Sequence, residues 1–214
     1  MFNKVYVVAE GYSKPIGNSN DMRANCSCTV IRTTSGCNII VDTMTAWDGQ
    51  VIRDGLQNIG LTPQDIKYVV CTHGHSDHIG CNYLFTSAEW HFVGACMSHG
   101  DKYPEYDFAT PYSLDNGNVV IMRTPGHTLT CVSVVVFNAD LQSGGTVGIC
   151  GDLFEREEDV YDQEIWLNAG SEHPQLQREN RSKMADMCSY IIPGHDKGFR
   201  VTEEIREKLR LNLC

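Results

Sequence analysis

The apolar run Tyr68-Val69-Val70-Cys71 leads directly into Thr72-His73-Gly74-His75-Ser76-Asp77-His78-Ile79-Gly80. Four apolar, partly β-branched residues bounded by a polar turn predict a short buried strand. The box after it holds three imidazoles and a carboxylate within six residues. At this chain's histidine and aspartate content, that spacing arises by accident in about one chain in a thousand. Polar side chains at such density need a common target. Metal coordination supplies one, because neutral imidazole nitrogens and carboxylate oxygens both ligate divalent ions. His73 and His75, two apart on a tight loop, can face one side, with Gly74 letting the backbone turn between them. Asp77 and His78 then open the next helix and face a neighbouring spot.

Outward from that box, the pairing of a strand with a ligand-type residue recurs. His127 follows the expected strand Val119–Arg123, in Thr124-Pro125-Gly126-His127. Asp152 follows an expected strand over 146–150, and His195 follows one over 190–192 in Pro193-Gly194-His195. Asp42 ends the expected strand Asn38–Val41, which pairs as a hairpin with Cys28–Arg32 around Ser35-Gly36. Five of the eight histidines are accounted for in this way. Between the strands, Ile52, Leu56 and Ile59 mark a helix over 51–59, with Gly60 at its C-terminal end. Thr62-Pro63 reads as a helix start. Further elements are a strand over 132–137, a helix over 178–189 and a closing helix Glu203–Leu211. Segments 95–117 and 155–175 read as loops, where a rigid scaffold usually carries its substrate contacts.

Composition bounds the possibilities. The chain has 214 residues, 42% of them hydrophobic and 21% charged, which suits one globular domain over 1–214 rather than a disordered chain. No apolar run approaches membrane length. The N-terminal apolar run from Val5 to Ala9 is too short for a signal-peptide core, so a cytosolic or nuclear location is expected and not a secreted one. The ten cysteines are then expected as reduced thiols, with Cys26 and Cys28 buried on one strand face and Cys71 and Cys150 as small core residues. Net charge is −10, unlike a basic nucleic-acid-binding module.

The box THGHSDHIG, followed by PGH, GD and PGH with Asp42 upstream, resembles the signature of the metallo-β-lactamase fold family over roughly residues 28–200. The resemblance implies an α/β four-layer αβ/βα sandwich with a two-metal site at one edge. It further implies that His73, His75 and His127 hold a first metal, that Asp77, His78 and His195 hold a second, that Asp152 bridges the two, and that Asp42 orients a ligand. Asp77 and Asp152 are the residues expected to be catalytic. The strings THGHSDHIG, Gly151–Arg156 and Pro193–Val201 are similar to a subgroup whose members imply a zinc-dependent endoribonuclease acting on single-stranded RNA, in 3′-end processing of histone pre-mRNA.

Three imidazoles with shared carboxylates favour zinc over iron, so the two-metal site that the resemblance implies is expected to hold two Zn²⁺ ions. Two such ions about 3.5–4 Å apart can share a hydroxide as nucleophile. Lys197 and Arg200, just after His195, are candidate phosphate contacts. His99, with Lys102, Tyr103 and Tyr106, is a candidate for holding a nucleotide. The acidic run at 155–164, with six acids and one arginine, is expected to be a solvated loop, and it stands against a long polyanion if it lines the site. Three other readings remain open. A small-molecule thioester or lactone hydrolase uses the same metals. A persulfide dioxygenase uses one iron. A zinc-binding structural or partner-binding module uses no chemistry at all, although structural zinc sites are closed and usually cysteine-rich.

Overall fold

The computed structural model describes residues 1–17, 21–141 and 144–213. In chain order the first half contains β1 Lys4–Ala9, β2 Tyr12–Pro15, β3 Met22–Asn25, β4 Cys28–Arg32, β5 Asn38–Val41, α1 Gly49–Asn58, β6 Tyr68–Cys71, α2 Ser76–Ile79, β7 Trp90–Val93 and β8 Cys96–Ser98. The second half contains β9 Tyr112–Leu114, β10 Val119–Arg123, β11 Val132–Val136, β12 Val147–Gly151, α3 Gln163–Asn168, α4 Pro174–Met187, β13 Tyr190–Pro193, β14 Phe199–Arg200 and α5 Glu203–Leu211. One sheet runs β1-β4-β5-β6-β7-β8, the other β14-β13-β12-β11-β10-β9, and β2 pairs with β3 as a separate hairpin.

Side-chain alternation along the strands builds the layers. Ile31, Ile39, Val41, Val70 and Phe92 of the first sheet pack against Ile121, Val132, Val134, Ile149 and Ile192 of the second. The intervening residues Val30, Ile40 and Val69 face outward, onto Ile52 and Leu56 of α1. On the far side, Val135, Cys150 and Ile191 face Met184 of α4 and Ile205 and Leu209 of α5. Helix, sheet, sheet and helix stack in that order. This is the expected four-layer sandwich. Among the described residues no helix is long and apolar enough to cross a membrane.

Several local expectations change. The run at Val5 becomes β1, paired antiparallel to β4. Thr62-Pro63 starts only one 3₁₀ turn, Pro63–Asp65, because Ile66 leaves it in extended backbone and is buried. Helix α4 begins at Pro174, four residues early, since His173 caps it by accepting from Leu176 N. The segments read as loops contain β8, β9 and α3, the last anchored by the buried Trp166. Cys26 and Cys28 are both buried, but Cys26 precedes β4.

Candidate metal centre

The C-terminal ends of β5, β6, β10, β12 and β13 lie along one edge of the sandwich. β5 runs parallel to β6, and β12 parallel to β13, so Asp42, the box at 72–78, Asp152 and His195 all emerge on the same side. Two glycines allow the strand ends to close up. Gly151 sits at φ +51, and a Cβ there would lie 2.3 Å from Thr72 Oγ1. A Cβ on Gly194 would lie 2.0 Å from Asp152 Oδ1. Gly74 differs from expectation. Its φ is not in the left-handed region, and the strained turn is instead at Asp42, φ 58°.

Two clusters of metal-ligating type meet at Asp152. In the first, His73 Nε2 is 2.8 Å and His127 Nε2 3.1 Å from His75 Nδ1. Asp152 Oδ2 lies 3.6 Å from His73 Nε2 and 3.4 Å from His127 Nε2. Donors held about 2.0–2.2 Å from one tetrahedral ion stand about 3.3–3.6 Å apart, so this set fits a single ion. In the second, His78 Nε2 is 3.2 Å from Asp152 Oδ1 and His195 Nε2 is 3.2 Å from Asp152 Oδ2. Asp77 Oδ2 is 4.0 Å from His78 Nε2 and 3.9 Å from His195 Nε2. The structure thus brings together all seven residues expected as ligands. His78 Nε2 and Asp152 Oδ1 are buried without a hydrogen-bond partner, which fits a cation between them. His75 alone of the first set is exposed, and it opens that cluster to solvent.

The ring orientations are fixed from behind. Asp42 Oδ2 is 3.0 Å from His78 Nδ1, and its Oδ1 accepts from Thr72 N at 2.7 Å. His195 Nδ1 donates to the Asn25 carbonyl at 3.0 Å. Each bond occupies Nδ1 and turns Nε2 toward Asp152. Thr72 and Asn25 were not legible as site residues, since neither is a metal ligand.

Electrostatics separate the clusters. In the protein without metal, burial and the neighbouring His78 push His73 well below the ordinary imidazole range, and burial lowers His127 as well. Burial also opposes charge on His78 and His195, but Asp152 outweighs it in both, with help from Asp42 at His78 and Glu155 at His195. His78 is raised well above its ordinary value and His195 to about 9. Burial works against the Asp152 carboxylate, yet His78, His195 and His73 hold it well below the usual range.

The acidic run departs in part from the expectation of a solvated loop: Glu158, Asp162 and Glu164 are exposed, but two of its acids turn inward. Glu155 and Asp159 are buried, and Asp159 is clasped by Arg181 at 2.5 and 3.1 Å. Glu155 Oε2 is 4.0 Å from His195 Nε2 and its Oε1 has no hydrogen-bond partner. Burial and Asp152 push its pKa up to about 8. Sequence reasoning did not single out Glu155; its place three residues after Asp152 was the available signal. With Arg156, Asp162, Glu164 and Ser13 it lines a cavity of about 440 Å³. An adjoining cavity of about 350 Å³ is lined by His195, Arg156, Lys14, Glu10 and Asp196.

The expected substrate contacts fare differently. Lys197 is exposed, two residues past His195. Arg200 pairs in register with Tyr190, at the start of β13 and so at the end remote from His195. His99 is outside both clusters: its Nδ1 meets Glu89 O at 3.0 Å and its ring lies edge-on to Trp90. Tyr106 packs on Phe108 and Tyr112 at the core rather than standing free.

Comparison with known proteins places this geometry. Residues 22–195 match the model of the metallo-beta-lactamase superfamily. The chain is 38% identical to metallo-beta-lactamase domain-containing protein 1 of Xenopus laevis, over 93% of this chain and 82% of that protein. A putative metallo-beta-lactamase from Thermotoga maritima superposes with a TM-score of 0.66 at 17% identity, covering 94% of this chain and 100% of that one. An N-acyl homoserine lactone hydrolase, with product bound at its catalytic metal center, gives 0.59 at 16% identity, covering 86% and 87%.

Proposed function

Because the chain belongs to the metallo-beta-lactamase superfamily of metal-dependent hydrolases, we propose that it is a two-zinc hydrolase whose substrate is single-stranded RNA. The observation that carries the two-metal reading is the meeting of two His/Asp clusters on one buried carboxylate, Asp152. His73, His75 and His127 would hold one ion, Asp77, His78 and His195 the other, and Asp152 both. Divalent ions bound there supply Lewis acidity and lower the pKa of water toward neutrality. The chain's own contribution is to fix the imidazole edges through Asp42 and Asn25, and to keep His73 and His127 neutral by burial, ready to ligate.

The RNA reading is supported by the subgroup strings around these ligands. Lys14 and Arg156, in the cavity that includes His195, offer cations for a phosphate beside the centre. A second reading, a small-molecule ester or thioester hydrolase, is favoured by one observation. Asp162 and Glu164 line the neighbouring cavity and repel a long polyanion. Side-by-side incubation of zinc-loaded protein with single-stranded RNA, double-stranded RNA, single-stranded DNA and a thioester decides between them. Preferential cleavage of single-stranded RNA is expected. Rapid thioester hydrolysis with intact RNA selects the second reading.

A further inference from the structure

Trp47 is 91% exposed and Tyr83 58%. An indole left this far out in water is unusual, because its large apolar surface gains from burial. Both rings belong to segments joined to the metal centre. The turn carrying Trp47 is anchored at its start, where Thr43 N donates to His78 O at 2.8 Å and Gly80 N donates to Met44 O at 2.8 Å. Its far end is anchored through Asp48, whose Oδ2 accepts from Asn25 Nδ2 at 2.9 Å, and the Asn25 carbonyl is the group that holds His195. Asp42 and Met44, at the start of this turn, both adopt left-handed backbone, φ 58° and 56°. Such strain persists only where the surroundings hold it. Tyr83 lies just past α2, in the 3₁₀ turn Asn82–Leu84. Its hydroxyl rests on the start of α1, where a Cβ at Gly49 would approach it to 2.5 Å. Two exposed aromatic rings therefore flank one turn that is tied by hydrogen bonds to the backbone of His78 and the ring of His195.

We propose that Trp47 and Tyr83 form a stacking platform for unpaired nucleobases of the substrate, next to the second metal cluster; this rests on the RNA reading given above. An acidic protein cannot grip a polyanion mainly by charge. Stacking avoids that conflict, because base faces bind aromatic rings without a cation. The platform accepts any base and excludes paired ones, whose faces are already covered, so it selects single strands.

The test uses zinc-loaded protein and a short oligouridylate, beside the same oligomer made abasic at successive positions. Trp47→Ala is expected to raise KM for the uridine oligomer on the order of tenfold with kcat little changed. Trp47→Phe should recover most of that loss, and Tyr83→Ala should act in the same direction. On the oligomer whose stacked bases are missing, wild type should already show the raised KM, and Trp47→Ala should add little further. Emission gives a second readout. Trp166 is buried and Trp90 half-buried, so quenching by the oligomer should be large in wild type and nearly lost in Trp47→Phe. Metal content measured on each variant checks that the centre is intact. If wild type cleaves the RNA while Trp47→Ala and Tyr83→Ala keep its KM, the platform is wrong and the RNA reading stands. If wild type neither cleaves nor is quenched by any oligomer, yet hydrolyses a thioester, both fall.

Discussion

His195 Nε2 faces Asp152 Oδ2 at 3.2 Å, and in the metal-free protein a proton belongs between them, since His195 is raised to about 9. This gives the first prediction. A raised histidine contributes stability that is fully present below its unfolded pKa, about 6.5, and is lost as pH rises through its folded value. His78, also raised, works in the same direction. Glu155, raised to about 8, holds a proton that the unfolded chain gives up near pH 4.5, so it too loses stability as pH rises. In chelator, the melting temperature should therefore fall between about pH 6.5 and 9. Zinc replaces these protons and should flatten that limb. Scanning fluorimetry across the range, with chelator and with zinc, checks it; a metal-free melting temperature climbing steadily from pH 7 to 9 contradicts it.

The same asymmetry separates the two metal affinities. His73 and His127 are already neutral, whereas His78 and His195 must shed protons before binding. The weaker-binding ion at pH 6 should be the one at Asp77, His78 and His195, and it should tighten steeply toward pH 8. Calorimetric zinc titration in buffers of different ionisation enthalpy, at both pH values, reads the protons released. Equal proton release for both ions would contradict this ordering.

Asp152→Ala removes the carboxylate shared by both clusters. Hydrolysis should drop by about 10²-fold or more, and zinc content should fall below two per chain. His99→Ala, at a residue bonded to Glu89 O away from both clusters, should keep its zinc and most of its turnover. Elemental analysis beside a rate assay separates the two variants. Full activity in Asp152→Ala with both ions retained would falsify the bridging role.

Asp42 has a narrower effect. Its carboxylate holds His78 Nδ1 directly at 3.0 Å, and reaches the first cluster only through Thr72 Oγ1, which it meets at 3.0 Å and which lies 3.2 Å from His73 Nδ1. Asp42→Asn should cost about 10–100-fold in affinity for the second ion and distinctly less for the first. Competitive titration against a zinc indicator resolves the two steps. A uniform loss at both would point to a general loosening of the β5–β6 edge instead.

The residues of the two His/Asp clusters were legible because strand ends carry them. β6, β10, β12 and β13 each announce themselves as apolar runs, and a His or Asp within a few residues inherits a defined place on the sheet edge. The four-layer fold came from the family resemblance carried by those boxes, and the facing of Val132, Val134 and Val136 into one core and of Val135 into another agrees with it. What was hidden depends on contacts distant in sequence. Asn25 orients His195 from 170 residues away, and no local pattern marks it. The acidic run looked like a solvated stretch because charge composition does not say which acids a buried Arg181 will draw inward. Arg200 looked close to His195 by count, but β14 turns back along β13 and carries it to the other end.

That corrected acidic loop sets the last prediction. Glu155, Asp162 and Glu164 line one cavity with Arg156, and Arg156 also lines the cavity of Lys14 and His195. Few phosphates can be held on such a surface, so RNA affinity should fall only shallowly with salt. A slope of about −1 to −3 against log salt is expected, from about −0.7 per phosphate contact on a single strand. Asp162→Asn with Glu164→Gln removes two repelling charges without touching the buried Glu155, and should tighten RNA binding, most at low salt. Lys14→Glu with Lys197→Glu should weaken cleavage of RNA much more than hydrolysis of a small neutral ester. One short RNA, assayed across a salt series with wild type and both double variants, reads all three effects. A steep slope would require a basic surface elsewhere on the molecule. Identical RNA rates in all three proteins, beside a fast thioesterase activity, would leave the small-molecule hydrolase as the reading to keep.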